Sequence, residues 1–126
     1  MRVDRFESPR TFTVGAAGDV TIGHCADVEL ESDEQVTFVT PSQTEFDVVR
    51  KAWGYYATPS MNGRLRDHGL RAALVRNAER RIYLMLVEDG QEELFREYLE
   101  AETQTLVAWL DSDEAVEDAL GRLERE

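Results

Sequence analysis

The stretch 70-LRAALVRNAERRIYLMLVE-88 decides the fold, because it contains two apolar runs joined by a short polar link. The runs are 70–76 and 81–88, and the four residues between them suit the turn of a β-hairpin. The second run is apolar without interruption from Ile82 to Val87, which is typical of a strand covered on both faces. We therefore expect this second strand to be central in its sheet.

A helix that covers this sheet is predicted directly downstream, over 91–102. Its apolar residues fall at positions i, i+1, i+4 and i+5 and form one stripe opposite a strongly acidic face. These residues are Leu94, Phe95, Tyr98 and Leu99. The next segment, 103–110, is compatible with a strand or with a continued helix, and we favour the strand.

A last helix is predicted near the C-terminus. Asp111 and Glu114 have the spacing of a capping pair at its start. The apolar side of this helix consists of Ala115, Val116, Ala119, Leu120 and Leu123. Two C-terminal helices are thus available to cover one sheet.

The first half of the chain reads as strands. Apolar and acidic residues alternate within 26–31, with the period of two expected of a half-buried strand. We expect this strand to form a hairpin with 35–40 across a polar turn. Upstream, 11–14 and 19–23 flank a glycine-containing turn, and downstream 45–53 is a further candidate strand.

These elements predict a single α+β domain over residues 1–126. Its centre is a mostly antiparallel β-sheet, barrel-like or sandwich-like, covered by the two C-terminal helices. A chain of 126 residues is large enough to bury one core and too small for two. Cys25 is the only cysteine, so the chain forms no intrachain disulfide.

Composition and charge limit the classes of partner. A net charge of −12 and an isoelectric point near 4.6 argue against broad nucleic-acid binding or binding to anionic membranes, both of which need clustered positive charge. No apolar run approaches the roughly 20 residues of a membrane span, and the opening ten residues are too polar for a secretory signal. We expect an acidic cytoplasmic protein.

The charge is segregated along the chain, and one unusual loop lies where it is positive. Residues 53–81 carry six basic and two acidic residues, whereas 88–126 carry three basic and fourteen acidic residues. The stretch 53–70 has neither helical nor strand periodicity, and Pro59 together with the turn signal at its centre makes 58–69 a connection. A connection of this length in a small domain is usually functional or mobile.

The residue types of this loop predict a ligand site. Its aromatic rings offer flat faces that stack on a sugar or a base, and its guanidinium groups match phosphate or carboxylate. The candidate ligand-binding residues are Trp53, Tyr55, Tyr56, Asn62, Arg64, Arg66, His68, Arg71 and Arg76. No defined phosphate-binding motif is present. In the alternative interpretation the aromatic residues fill the core and the arginines pair with the acidic residues of 88–126.

Four residues are candidates for catalysis: His68, Asp67, His24 and Cys25. His68 would act as a general acid or base oriented by Asp67, and Cys25 would act as a nucleophile if a base lay within hydrogen-bond reach. A solvent-facing histidine and a buried structural cysteine are the commoner roles. His24 and Cys25 point to opposite faces of a strand, so we predict no metal site, and no cofactor is indicated.

Three segments carry a resemblance to known sequences. They are 46-FDVVRKAWGYYATPSMNGRL-65, 72-AALVRN-77 and 82-IYLMLVE-88. Their combination resembles a family of short uncharacterised bacterial proteins that accompany genes of sugar-nucleotide and surface-polysaccharide biosynthesis. The resemblance implies a context in carbohydrate metabolism and brings no catalytic residues with it.

Three hypotheses for function follow. The first is a small binding or accessory protein that holds an anionic, sugar-like or nucleotide-like small molecule, or a partner enzyme, through the loop 53–70. The second is a small acid–base enzyme that acts on a sugar derivative, as an isomerase or epimerase does, with His68 or His24 at its centre. The third is a structural subunit without a ligand, whose apolar strands and acidic helices form a homodimer.

Overall fold

The computed structural model describes residues 1–125, apart from the side chain of Leu123. The strands are β1 (Arg2–Val14), β2 (Val20–Glu29), β3 (Gln35–Val39), β4 (Glu45–Lys51), β5 (Gly54–Ala57), β6 (Leu70–Arg76), β7 (Ile82–Glu88) and β8 (Thr105–Trp109). The helices are α1 (Arg64–Asp67), α2 (Glu92–Ala101) and α3 (Asp113–Arg125).

All strand pairs are antiparallel, and the strands form three sheets. Strands β1 and β2 make a two-stranded sheet, which we call the ribbon, and the other two sheets have the orders β3-β4-β5 and β7-β6-β8. The predicted class, α+β with mostly antiparallel sheet, is therefore confirmed, and the strands of residues 1–125 do not close into a barrel. Over the same residues, no helix is both long and apolar enough to cross a membrane.

The hairpin predicted at 70–88 is confirmed, but its central strand is the first one. Strand β6 pairs with β7 along its whole length and with β8 on its other edge. It supplies Ala72, Ala73 and Val75, which are completely buried. The prediction that 82–87 is central is wrong, because β7 is an edge strand whose first residues are about half exposed. Only the end of its apolar run, Leu86 and Val87, borders an open groove.

The hairpin predicted between 26–31 and 35–40 is wrong. Residues 26–29 continue β2 and pair with residues 2–5 of β1, across an irregularity between Arg5 and Arg10. Strand β3 pairs with β4 instead. The predicted turn at 15–18 is present. The strand before it was predicted only over 11–14, whereas β1 begins at Arg2, in a polar and proline-containing segment. A polar strand with little buried surface gives no clear alternation to read.

The core consists of two adjoining clusters on the sheet β7-β6-β8. In the first, Phe95 and Leu99 of α2 pack on Ala73, Val75 and Val87. The second contains Leu65, Leu70 and Ala72, with Phe46, Leu86 and Leu110 packed against it. The predicted helix 91–102 is thus confirmed with half of its apolar stripe buried, while the other half, Leu94 and Tyr98, stays exposed.

Of the three helices in the described residues only the last, α3, is C-terminal, so the predicted cover of two C-terminal helices is not confirmed. Strand β8 confirms the choice of a strand in 103–110, and Ala119 of α3 is buried. Ser112 directly precedes α3, and its Oγ accepts a hydrogen bond from the Ala115 N–H at 3.1 Å. The prediction that Asp111 caps this helix is wrong, because its carboxylate accepts a hydrogen bond from Arg71 instead. The predicted place of Leu123 on the apolar side falls outside the described side chains.

The connection 58–69 contains a single helical turn, α1. Leu65 of this turn is 1% exposed and belongs to the core, so the connection is fastened to the body of the protein. It ends at Gly69, whose φ of +84° and close approach to Thr44 both favour glycine. A Cβ at Gly69 would lie 3.0 Å from Thr44 Cγ2. The connection is therefore a packed element and not a free loop.

Candidate functional site: the loop and an apolar groove

The three predicted aromatic residues lie on the surface around the β4–β5 turn. The side chain of Trp53 is 72% exposed, and its ring stacks on Tyr56 with a centroid distance of 6.2 Å and an interplanar angle of 25°. Tyr55 is also exposed, and the guanidinium of Arg50 lies 5.9 Å from its ring centroid. The alternative interpretation that these residues fill the core is therefore wrong. Their faces remain available to a ligand.

The two arginines of α1 are directed at carboxylates of the chain itself. Arg64 Nη2 donates to Asp47 Oδ2 at 3.0 Å, and Asp47 is a buried side chain. Arg66 Nη1 donates to Asp89 Oδ1 at 2.7 Å, and its Nε lies 3.9 Å from Asp111 Oδ2. Arg66 thus pairs with acidic residues of 88–126, as the alternative interpretation expected, whereas Arg64 pairs with a buried carboxylate outside that range.

Arg71 of β6 is the centre of a similar arrangement. Its Nε donates to Asp111 Oδ2 at 2.8 Å, and its Nη1 lies 3.8 Å from Glu92 Oε2. The guanidinium also lies 3.8 Å from the ring centroid of Trp109. Such a group is held by a carboxylate on one side and by an aromatic face on the other. Its geometry is that of an internal connection between β6, β8 and α2.

The remaining loop residues are dispersed. Asn62 donates to Asp113 Oδ1 at 3.0 Å, so it connects the loop to the start of α3. His68 Nδ1 lies 3.3 Å from Glu45 Oε2 in a shallow hollow that Asp67 also lines. Arg76 lies at the far end of β6, where it borders a different hollow. Among the described residues, none of the predicted arginines stacks on the three exposed rings.

The other catalytic candidates lie on the ribbon. His24 Nε2 is 2.8 Å from Asp27 Oδ1, and its Nδ1 is 2.9 Å from Arg10 Nη2. Cys25 is exposed, contrary to the commoner expectation of a buried cysteine. Neither residue lines the hollow beside His68 or the one beside Arg76. Within the described part of the chain, no group of three or more histidine, cysteine or acidic residues is placed to hold a metal ion.

The structure also contains an apolar groove that the sequence did not predict. It has a volume of about 650 Å³ and is lined by the edge strands β3 and β7, by single residues of β4 and β6, and by α2 along one side. The apolar residues that line it are Phe38, Val39, Phe46, Leu70, Leu86, Val87, Leu94, Phe95 and Tyr98. The sequence contained one sign of this groove. The apolar stripe of α2 includes Leu94 and Tyr98 in addition to Phe95 and Leu99, which pack on the sheet.

The groove ends at a carboxylate surrounded by hydroxyl groups. Glu88 Oε1 accepts hydrogen bonds from Ser42 Oγ at 2.6 Å, from Thr40 Oγ1 and from Thr44 Oγ1 at 3.0 Å. The hydroxyl groups of Ser42, Thr40 and Thr44, in that order of effect, hold the pKa of Glu88 below its usual value. These bonds connect the end of β7 to the β3–β4 turn. They also leave a negative charge at one end of an apolar surface.

Comparisons with known proteins add no assignment to this geometry. No protein-family model matches the chain, and neither a curated protein nor a solved structure is significantly similar to it.

Proposed function

We propose that the protein is a non-catalytic binding subunit whose apolar groove accommodates an extended segment of a polypeptide. The observation that carries this proposal is the groove itself, which is bordered by two free strand edges and by exposed apolar side chains. Phe38 on β3 and Leu94 on α2 are 57% and 62% exposed. Contiguous apolar surface of this kind marks an interaction site on a protein.

A polypeptide suits this groove better than a small molecule does. Strands β3 and β7 each have one neighbour in their sheets, so their outer edges present unpaired backbone groups next to the groove. An added strand would satisfy such groups and place alternate side chains on the apolar floor. A compact small molecule would cover the apolar residues inside the groove. The backbone edges of β3 and β7 and the exposed side chains at its border would remain in water.

Site-specific photo-crosslinking tests this proposal. The photoreactive amino acid p-benzoylphenylalanine is introduced at Leu94, and the crosslinked peptides from cells and from purified protein are identified by mass spectrometry. The matched control is Leu120 on α3, which is 55% exposed but lies outside the groove. We expect crosslinks to one identified peptide from position 94, and their loss when Phe38→Asp is added. Equal crosslinking from both positions would refute the proposal.

A second candidate function is anion binding, at a place other than the predicted loop. A hollow of about 420 Å³ near the β6–β7 turn is lined by Arg76, Arg80 and Arg122. Arg122 Nη1 donates to the Val107 carbonyl oxygen, and Arg76 also has an interaction within the chain. Two of the three guanidinium groups are therefore held in position without a ligand. Guanidinium groups around one concavity favour phosphate or carboxylate ligands, including the sugar nucleotides that the resemblance suggests.

Thermal-shift measurements with a sugar nucleotide separate the two possible anion sites. Bound ligand raises the melting temperature by an amount set by its concentration relative to Kd. Arg80→Ala with Arg122→Ala removes the shift if the hollow binds the anion. Arg64→Ala with Arg66→Ala removes it if the loop does. A melting temperature that the sugar nucleotide leaves unchanged in the parent protein rules out both sites.

A further inference from the structure

The ribbon projects a large surface that the rest of the chain does not cover. Its strands extend over residues 2–14 and 20–29. It is held at its two ends, where the Met1 amino group lies 3.0 Å from Glu34 and the Ala16 N–H donates to Glu102 at 2.9 Å. An isolated two-stranded ribbon is at best marginally stable in water, so an uncovered face of this length calls for a partner.

One face of the ribbon is apolar. Residues directly opposite each other in an antiparallel pair share a face, and every second residue along a strand returns to it. The apolar pairs on this face are Val3 with Val28, Phe12 with Ile22, and Val14 with Val20. Each of these six residues is between 36% and 49% exposed. The alternation predicts burial of this face, and nothing in the described chain provides it.

Two of the three arginines of the ribbon lie on the same face, whereas the third, Arg2, lies on the other face and pairs with Asp4 and Glu29. Arg5 is opposite Ala26 and Arg10 is opposite His24, so both arginines lie on the apolar face. By register the acidic residues Asp27 and Glu29 belong to the other face, although the Asp27 carboxylate reaches His24 at 2.8 Å. A partner for the apolar face must therefore be apolar and negatively charged.

The groove has these two properties. Its floor is apolar and its end carries the ionised carboxylate of Glu88. The residues that α2 contributes to the lining are Leu94, Phe95 and Tyr98, so Glu88 is the charged residue of the groove. Charge complementarity of this kind steers association and fixes the register of two surfaces.

We propose that the groove of one copy binds the apolar face of the β1–β2 ribbon of a second copy. This inference names the partner for the groove and rests on the function proposed above. The ribbon of the same chain does not line the groove, and its two ends are tied to Glu34 and to Glu102 at the C-terminal end of α2. Mutual exchange gives two identical ribbon–groove contacts and closes a symmetric dimer.

Sedimentation velocity of the full chain at micromolar concentrations tests the inference, with variants on each side of the contact. Ile22→Asp on the ribbon and Leu94→Lys in the groove should each raise the dimer Kd by about 30-fold or more, as is typical of a central interface residue. Thr21→Asp lies on the opposite face of the ribbon and is the matched control, with an expected change of about threefold or less. Circular dichroism establishes that each variant is folded.

Mixing the two monomeric variants gives an independent readout. In a ribbon–groove exchange, the intact groove of the Ile22→Asp chain binds the intact ribbon of the Leu94→Lys chain, so the mixture should associate more strongly than either variant alone. A dimer formed through two ribbons or two grooves would respond to only one substitution and would overturn the inference. A folded parent chain that sediments as a monomer would also overturn it.

The outcome for this inference is separable from that for the proposed function. If the chain is monomeric but position 94 crosslinks to an identified peptide of another protein, the groove keeps its function and the second copy is excluded as the occupant. If position 94 crosslinks no better than position 120, both fail. Crosslinks from position 94 to a peptide within residues 1–30, obtained between differently labelled copies of the chain, support both.

Discussion

Leu65→Ala measures how firmly the aromatic and arginine-containing connection is fixed to the core. Leu65 is almost completely buried among Leu70, Ala72 and Phe46. Truncation to alanine removes three carbon groups, and the lost transfer free energy is about 2.4 kcal/mol at about 0.8 kcal/mol for each group. A residual cavity beside a rigid sheet increases the cost, so we expect a total of about 3–4 kcal/mol. For a chain of this size the melting temperature should fall by about 12–15 °C.

Urea denaturation followed by circular dichroism provides the assay, with Met61→Ala as the control in the same connection. Met61 is 40% exposed, so its truncation should cost less than about 1 kcal/mol. A loss of less than about 1 kcal/mol for Leu65→Ala, or equal losses for the two variants, would refute the reasoning. The helical turn would then be a mobile loop, as the sequence alone suggested. The urea m-value should stay unchanged, since a fall would indicate a loss of two-state behaviour.

Three further predictions concern the charged and aromatic residues. Asp47→Asn and Arg64→Ala should show a coupling free energy of about 1 kcal/mol in a double-mutant cycle, because the buried carboxylate and the half-exposed guanidinium share a hydrogen bond. Urea denaturation measures the cycle, and additive losses of unfolding free energy would contradict this. The lowered pKa of Glu88 means that its ionised form stabilises the fold above the ordinary value of 4.5, and that this contribution is lost as the pH falls through the lowered pKa. Stability should therefore decline less steeply below pH 4.5 in Glu88→Gln than in the parent, and parallel curves from urea titrations at several pH values would count against the hydroxyl cluster. Trp53→Ala should change stability by less than about 0.5 kcal/mol, whereas Trp109→Ala should cost about 3 kcal/mol; similar costs by thermal denaturation would show that the exposed ring is packed in solution.

Local patterns predicted the elements of the second half of the chain well. The hairpin at 70–88, the helix over 91–102 and the strand in 103–110 all follow from periodicity and turn length. The order of the strands in the sheet could not be predicted from these patterns. A continuous apolar run occurs both in a central strand and in an edge strand beside an open groove. Ala72 and Ala73 make β6 the buried strand, and small residues give a weaker apolar signal than Ile82 to Val87 do.

The candidate site was less predictable, since it depends on contacts distant in sequence. Composition left open whether Trp53, Tyr55 and Tyr56 are exposed or fill the core, and the structure places their rings on the surface. It did not reveal that Arg64 would bind Asp47 of a neighbouring strand. Nor could it reveal the groove, whose walls come from β3, β7 and α2 and meet only in the folded chain.

The free edges of β3 and β7 also raise the hazard of open-ended polymerisation. If ribbons were passed on from chain to chain and not exchanged in pairs, the same contacts would build a fibre. Every chain added to such a fibre brings a net charge of −12, and the mutual repulsion grows with length. The acidic composition therefore acts as a limit on growth, which would be removed near pH 4.6, where this charge vanishes.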